Sequence, residues 1–144
     1  MGEDLAQQQA EKALVLDSYR LEFRLPSAGG AQAQMSQTTM MNQSERRLAV
    51  KVRCSDNTYY RVEPVFSVLE PMPGAVNLDI SRLPGGQPKE DKLVLQYADL
   101  PEDQDDPRAP FAQPPPDNGF EEVRIALIAV SDNDDNAQQA NDGD

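Results

Sequence analysis

From Arg20 onward, polar and apolar residues alternate with a period of two, the spacing of strands that bury one face. Leu21, Phe23 and Leu25 alternate with Arg20, Glu22 and Arg24, and Pro26 with Gly29-Gly30 closes this first strand. Leu48, Val50, Val52 and Cys54 alternate with Ala49, Lys51 and Arg53. Val76, Leu78 and Ile80 alternate with Asn77 and Asp79; Leu93, Leu95 and Tyr97 alternate with Lys92, Val94 and Gln96. Ala33 to Met41 reads as a weaker strand, polar on one side. Tyr59 to Glu63 is β-rich and stops at Pro64, because proline has no amide to give to a ladder, and Val65 to Leu69 resumes the run. The last strand, Val123 to Val130, is apolar on Val123, Ile125, Leu127 and Ala129. Ile128 and Val130 fall on its other face, which predicts cover there too.

Turn chemistry separates these runs: Asn42-Gln43-Ser44-Glu45, Ser55-Asp56-Asn57, Pro71-Met72-Pro73-Gly74 and Pro84-Gly85-Gly86. Short strands at this spacing predict an all-β fold, a seven-stranded immunoglobulin-like antiparallel β-sandwich, without the cysteine and tryptophan signature of true immunoglobulin domains. The chain of 144 residues holds one domain with tails. The expected division is a polar, Gln-rich arm over residues 1–11, a sandwich over 12–131 and an acidic, disordered tail over 132–144. Within the sandwich, residues 99–119 form an acidic, proline-rich connection longer than ordinary loops, a mark of function or disorder. Its Pro114-Pro115-Pro116 run is stiff and extended.

Charge changes the picture through its placement. Residues 1–98 carry 12 Asp plus Glu against 11 Lys plus Arg, whereas residues 99–144 carry 13 against 2. The body is near neutral and the acidity lies in the connection and tail, which argues against nucleic acid as a partner. The longest apolar run, Ile125 to Val130, falls far short of the roughly 20 residues that cross a bilayer, so no membrane insertion is expected. The start, Met1-Gly2-Glu3-Asp4-Leu5-Ala6, has neither the regions of a secretory signal nor a myristoylation pattern. The single cysteine, Cys54, forms no internal disulfide, suits a reducing cytosol and reads as a small apolar residue.

Catalytic chemistry finds little purchase. With no histidine, serine–histidine and cysteine–histidine pairs and histidine metal sites are excluded by composition. The carboxylates of Glu102 to Asp106 and Asp132 to Asp135 read as solvating charge, and Gly29-Gly30 and Gly85-Gly86 as turn glycines. From Asp132, a calcium-loop register would put Ala137 at the sixth position and Gly143 where the closing glutamate belongs. No cofactor, no metal and no enzymatic activity are expected.

The order N-Q-S-E-R-R-L-A-V-K-V-R-C-S-D-N-T-Y-Y-R-V-E-P-V-F-S-V-L-E-P, followed by K-E-D-K-L-V-L-Q-Y, resembles the major sperm protein domain over roughly residues 14–130. It is most similar to the small, sperm-specific accessory branch of that family in nematodes, the branch of the fibre proteins. The resemblance implies a non-catalytic sandwich in the cytoplasm and cytoskeleton of the sperm pseudopod, binding major sperm protein filaments or subunits and slowing their assembly. A homo-oligomer is compatible with it. Membrane-tethered adaptors of the family instead bind acidic, phenylalanine-containing peptides through a Lys-Thr-Thr run and a Lys-x-Met pair. Those positions are Arg53-Cys54-Ser55 and Lys92 with Val94 here, so only the charges carry over. The candidate partner-binding residues are therefore Arg53, Ser55, Arg61, Lys92 and Val94, with solvated outer-face positions as the alternative reading of the three cations.

Overall fold

Burial follows the alternation. The computed structural model describes residues 12–25, 33–72 and 74–131; the predicted arm and tail lie outside the described residues. Among the described residues nine strands run in chain order: β1 (Leu14–Leu16), β2 (Arg20–Leu25), β3 (Gln34–Asn42), β4 (Leu48–Cys54), β5 (Tyr60–Glu63), β6 (Phe66–Leu69), β7 (Gly74–Arg82), β8 (Lys89–Asp99) and β9 (Glu121–Ser131). They form a four-stranded sheet, β1-β3-β7-β5, packed on a five-stranded sheet, β2-β9-β8-β4-β6. Phe23, Met40, Val50, Leu78, Ile80, Leu95 and Ile125 fill the space between them, each nearly or fully excluded from solvent. Every such aliphatic or aromatic side chain contributes about 1.5–3 kcal/mol. Phe23 meets Tyr60 edge-on across the layers, with ring centroids 5.4 Å apart.

The sandwich class stands, but the strand count is nine where seven were expected, because both long edges are built by segments that change sheets. Residues 14–25 begin in the four-stranded sheet as β1 and end in the five-stranded sheet as β2. Asp17 pins this crossing, accepting from the Thr38 hydroxyl and from the Thr39 amide at 2.9 Å. On the far edge, residues 60–69 change sheets between β5 and β6 through the cis Glu63–Pro64 peptide and Val65, whose carbonyl accepts from Val52 N at 2.9 Å. Three residues are too few to show a period, which is why β1 escaped the pattern. The pairing of β2 with β9 is parallel, a correction to the all-antiparallel expectation. These strands come from opposite ends of the chain, so no hairpin imposes their direction.

The connection between β8 and β9, read from the chain as a mark of function or disorder, is ordered around a turn of 3-10 helix at Ala109–Ala112. Arg47 holds its start, donating to the carbonyls of Pro101 at 2.8 Å and Gln104 at 2.7 Å. On the outer face of β9, Ile128 and Val130 are half-buried, beside Glu22 and Arg24 of β2.

Three polar groups are buried with purpose. Asn42 Nδ2 donates to the carbonyls of Arg46, Leu69 and Glu70 at 2.6, 3.2 and 3.0 Å. Its Oδ1 accepts from the Ser44 amide and hydroxyl at 2.9 and 2.7 Å. One side chain thus closes the β3–β4 turn and ties β3 of one sheet to the end of β6 of the other. Arg82, 1% exposed, lies against the rings of Tyr59 and Tyr60 at 4.5 and 5.0 Å and donates to Gly85 O at 3.0 Å. Gly86, at φ 82°, is required there, because a Cβ would sit 2.9 Å from Arg82 Nη2. Asp56 accepts from the amides of Thr58 and Tyr59 at 2.8 and 3.2 Å and pairs with Lys89 at 3.1 Å. Burial alone would raise the Asp56 carboxyl, but Lys89 and the two amides outweigh it and hold the group below its ordinary range.

Replacing Asn42 by alanine strands several buried backbone carbonyls, and a loss of about 2–4 kcal/mol in urea unfolding is expected. Because the folded-state value of Asp56 is depressed, its contribution is complete above the unfolded carboxylate value of about 4 and fades as pH falls through the folded value. The urea midpoint of Asp56→Asn, measured at stepped pH below about 4, should therefore decline less steeply than that of the parent protein.

Candidate functional site

The outer face of the five-stranded sheet carries the chemistry. In β4 the core takes Leu48, Val50 and Val52, which turns Ala49, Lys51 and Arg53 outward; in β8 the outward residues are Lys92, Val94, Gln96 and Ala98. The register places Arg53 opposite Val94 and Val94 opposite Arg124 of β9. Arg53, Val94 and Arg124 therefore form one row across three strands, with Lys92 two residues along. Together with Cys54, Ser55 and Glu122 they line an open groove of about 280 Å³.

Four of the five residues expected from the sequence, Arg53, Ser55, Lys92 and Val94, meet in this groove. The fifth does not. Arg61 lies on β5, in the other sheet, and its guanidinium donates to the carbonyls of Asn57 at 2.5 Å and Tyr60 at 2.9 Å, closing the β4–β5 turn. Glu122 and Arg124 were missed. They are outward positions of β9, and only the pairing of β8 with β9 brings them beside Val94.

The groove is basic. Arg124 meets Glu122 at 3.3 Å, and Glu122 also accepts from Gln96 at 3.2 Å. Among the described residues no carboxylate pairs with Arg53 or Lys92. Ser55 is fixed by Asp91, its Oγ donating to the carboxylate at 2.8 Å and accepting from the Lys92 amide at 3.0 Å. Cys54 is half-buried, its Sγ donates to Asp56 O at 3.3 Å, and burial pushes its thiol above the ordinary value, away from the thiolate form. The arrangement offers two unpaired cations, a fixed hydroxyl and an apolar floor at Val94, a surface for binding an anionic chain segment.

Among the described residues no group of three or more His, Cys, Asp or Glu is placed to hold a metal ion. None of the described helices is long and apolar enough to cross a membrane.

The chain is similar to known nematode proteins in sequence and in fold. It is 46% identical over 86 residues to sperm-specific class P protein 34 of Caenorhabditis elegans, a match covering 60% of this chain and 75% of that one. Among solved structures, WR4, a C. elegans MSP family member, superposes with a TM-score of 0.67 at 36% identity, covering 83% of this chain and all of that one. SSP-19, an MSP-domain-like protein of the same nematode, gives 0.62 at 32% identity over 74% of this chain and 92% of that one. The family model for the MSP (Major sperm protein) domain matches residues 22–117, which contain β3 through β8 and the outward cations of β4 and β8, and the chain belongs to that family.

Proposed function

We propose that the protein is a non-enzymatic accessory of the nematode sperm MSP cytoskeleton, binding MSP filaments or subunits in the pseudopod and slowing fibre assembly. The observation that carries this reading is a family sandwich, related to sperm-specific proteins, whose sheet edges are all short. The edge strands β1, β2, β5 and β6 hold 3, 6, 4 and 4 residues. Short, sheet-switching edges offer few free backbone groups for a further strand, so such a molecule can dock on an assembly without extending it. The net charge of −12 adds repulsion between copies. Purified protein added to reconstituted sperm fibres should lower their elongation rate in proportion to its concentration. Elongation that stays constant as the added protein passes the subunit concentration rules the reading out.

The groove supports a second reading, an adaptor for acidic, phenylalanine-containing peptides. The supporting observation is the meeting of Arg53, Lys92 and Arg124 around Val94 with two of the three cations unpaired. A fluorescent acidic phenylalanine peptide should bind the protein, and Lys92→Glu should weaken it by roughly ten-fold, one unfavourable charge contact in a partly desolvated site. Equal affinity of parent and variant removes the groove from this role.

A further inference from the structure

The segment between β8 and β9 crosses the outer face of the five-stranded sheet and is anchored by one aromatic ring. Phe111 sits between Phe66 of β6, at a centroid distance of 6.2 Å, and Phe120 at the entrance to β9, at 5.0 Å. Arg108 lies over the Phe66 ring at 5.3 Å, and Lys51 approaches the same ring at 5.9 Å. Phe66 and Phe120 stand on opposite margins of this part of the sheet, with Ala49 of β4 and Ala98 of β8, paired to each other, between them. Ala49 points outward yet is 0% exposed, which the segment lying across it accounts for. Small residues there make room for the strap.

This strap is unlike a loop that merely joins two strands. It is tied at its start by Arg47 and seated in its middle by Phe111, and it turns back through Gly119 at φ 78°. Its acidic residues are paired close to the tie, Asp105 with Arg47 at 3.5 Å and Asp106 with Arg108 at 3.8 Å. Beyond the seat, Pro114-Pro115-Pro116 forms a stiff arm that favours an extended path.

We propose that the strap is exchangeable: released from its own sheet, Phe111 of one copy seats between Phe66 and Phe120 of a second copy, and the second strap does the same in return. The occupant is fixed by the structure, because the seat already holds this segment and every copy carries the same seat. A reciprocal exchange closes on itself and gives a dimer, so it removes copies from growth. Within one copy the tether holds the strap at an effective concentration on the order of millimolar, so one half of the exchange becomes visible when a strap without its own seat meets a seat without its own anchor.

Two variants separate strap from seat. Phe111→Ala keeps the seat and loses the anchor; Phe66→Ala keeps the anchor and loses the seat. Each alone should sediment as a monomer, and an equimolar mixture should form a 1:1 complex of twice the mass. Phe66→Leu, which keeps apolar volume in β6 while removing the ring, serves as a second seat variant, and circular dichroism verifies that each variant folds. A mixture that stays monomeric up to about 1 mM, the effective concentration of the tethered strap, overturns the exchange. So does a variant that dimerises alone as strongly as the mixture. Neither result depends on sperm fibres, so this idea and the assembly reading fail separately.

Discussion

The two sheets must bury their facing surfaces against each other, and that demand fixes which residues point outward. Once Val50, Leu95 and Ile125 face the core, Lys51, Val94 and Arg124 have no choice of side. A slip of one residue in β4 would send Arg53 into the core and Val52 to the surface, at a cost no local contact could offset. The basic groove and the seat for Phe111 are thus consequences of a buried register more than of local design. They lie on the same face, with Arg53 and Val94 of the groove four residues along β4 and β8 from Ala49 and Ala98 beneath the strap.

The edges and the charge point the same way. A sandwich with long, flat margins invites further strands; here the margins are cut into short pieces because the chain crosses between layers at Asp17 and again at Pro64. The acidic connection is folded over a face that would otherwise present phenylalanine rings and small residues to solvent. Both features make a molecule that keeps the architecture of its family while limiting ways for copies to join. This is the physical sense in which it suits the role proposed above.

Much of this was legible from the chain because period-two alternation reports burial directly. The strand at 48–54, the centres of two more at 76–80 and 92–97, which the structure extends to 74–82 and 89–99, and the turn glycines at 85 and 86 emerge from residue order alone. Four of the candidate groove residues were legible through the resemblance, whose motifs carry register as well as fold. What stayed hidden depends on contacts between distant segments. Leu14 to Leu16 is too short to show a rhythm, and Arg124 becomes part of the groove only through β8–β9 pairing. Arg61 looked equivalent to Arg53, yet its strand belongs to the other sheet and its guanidinium is used by neighbouring carbonyls. Arg82 carried no reading from the chain, because nothing local announces the two tyrosine rings that enclose it.

Asn42 has an implication for how the molecule comes apart. Its amide reaches carbonyls at the end of β6 while its own backbone belongs to β3, so one planar group rivets the two layers together at that end of the barrel-like core. Neither layer can peel away first without breaking those hydrogen bonds together with the packing between the sheets. The layers are therefore coupled into a single cooperative unit, and slow amide exchange should spread evenly across both instead of marking one as the more durable half.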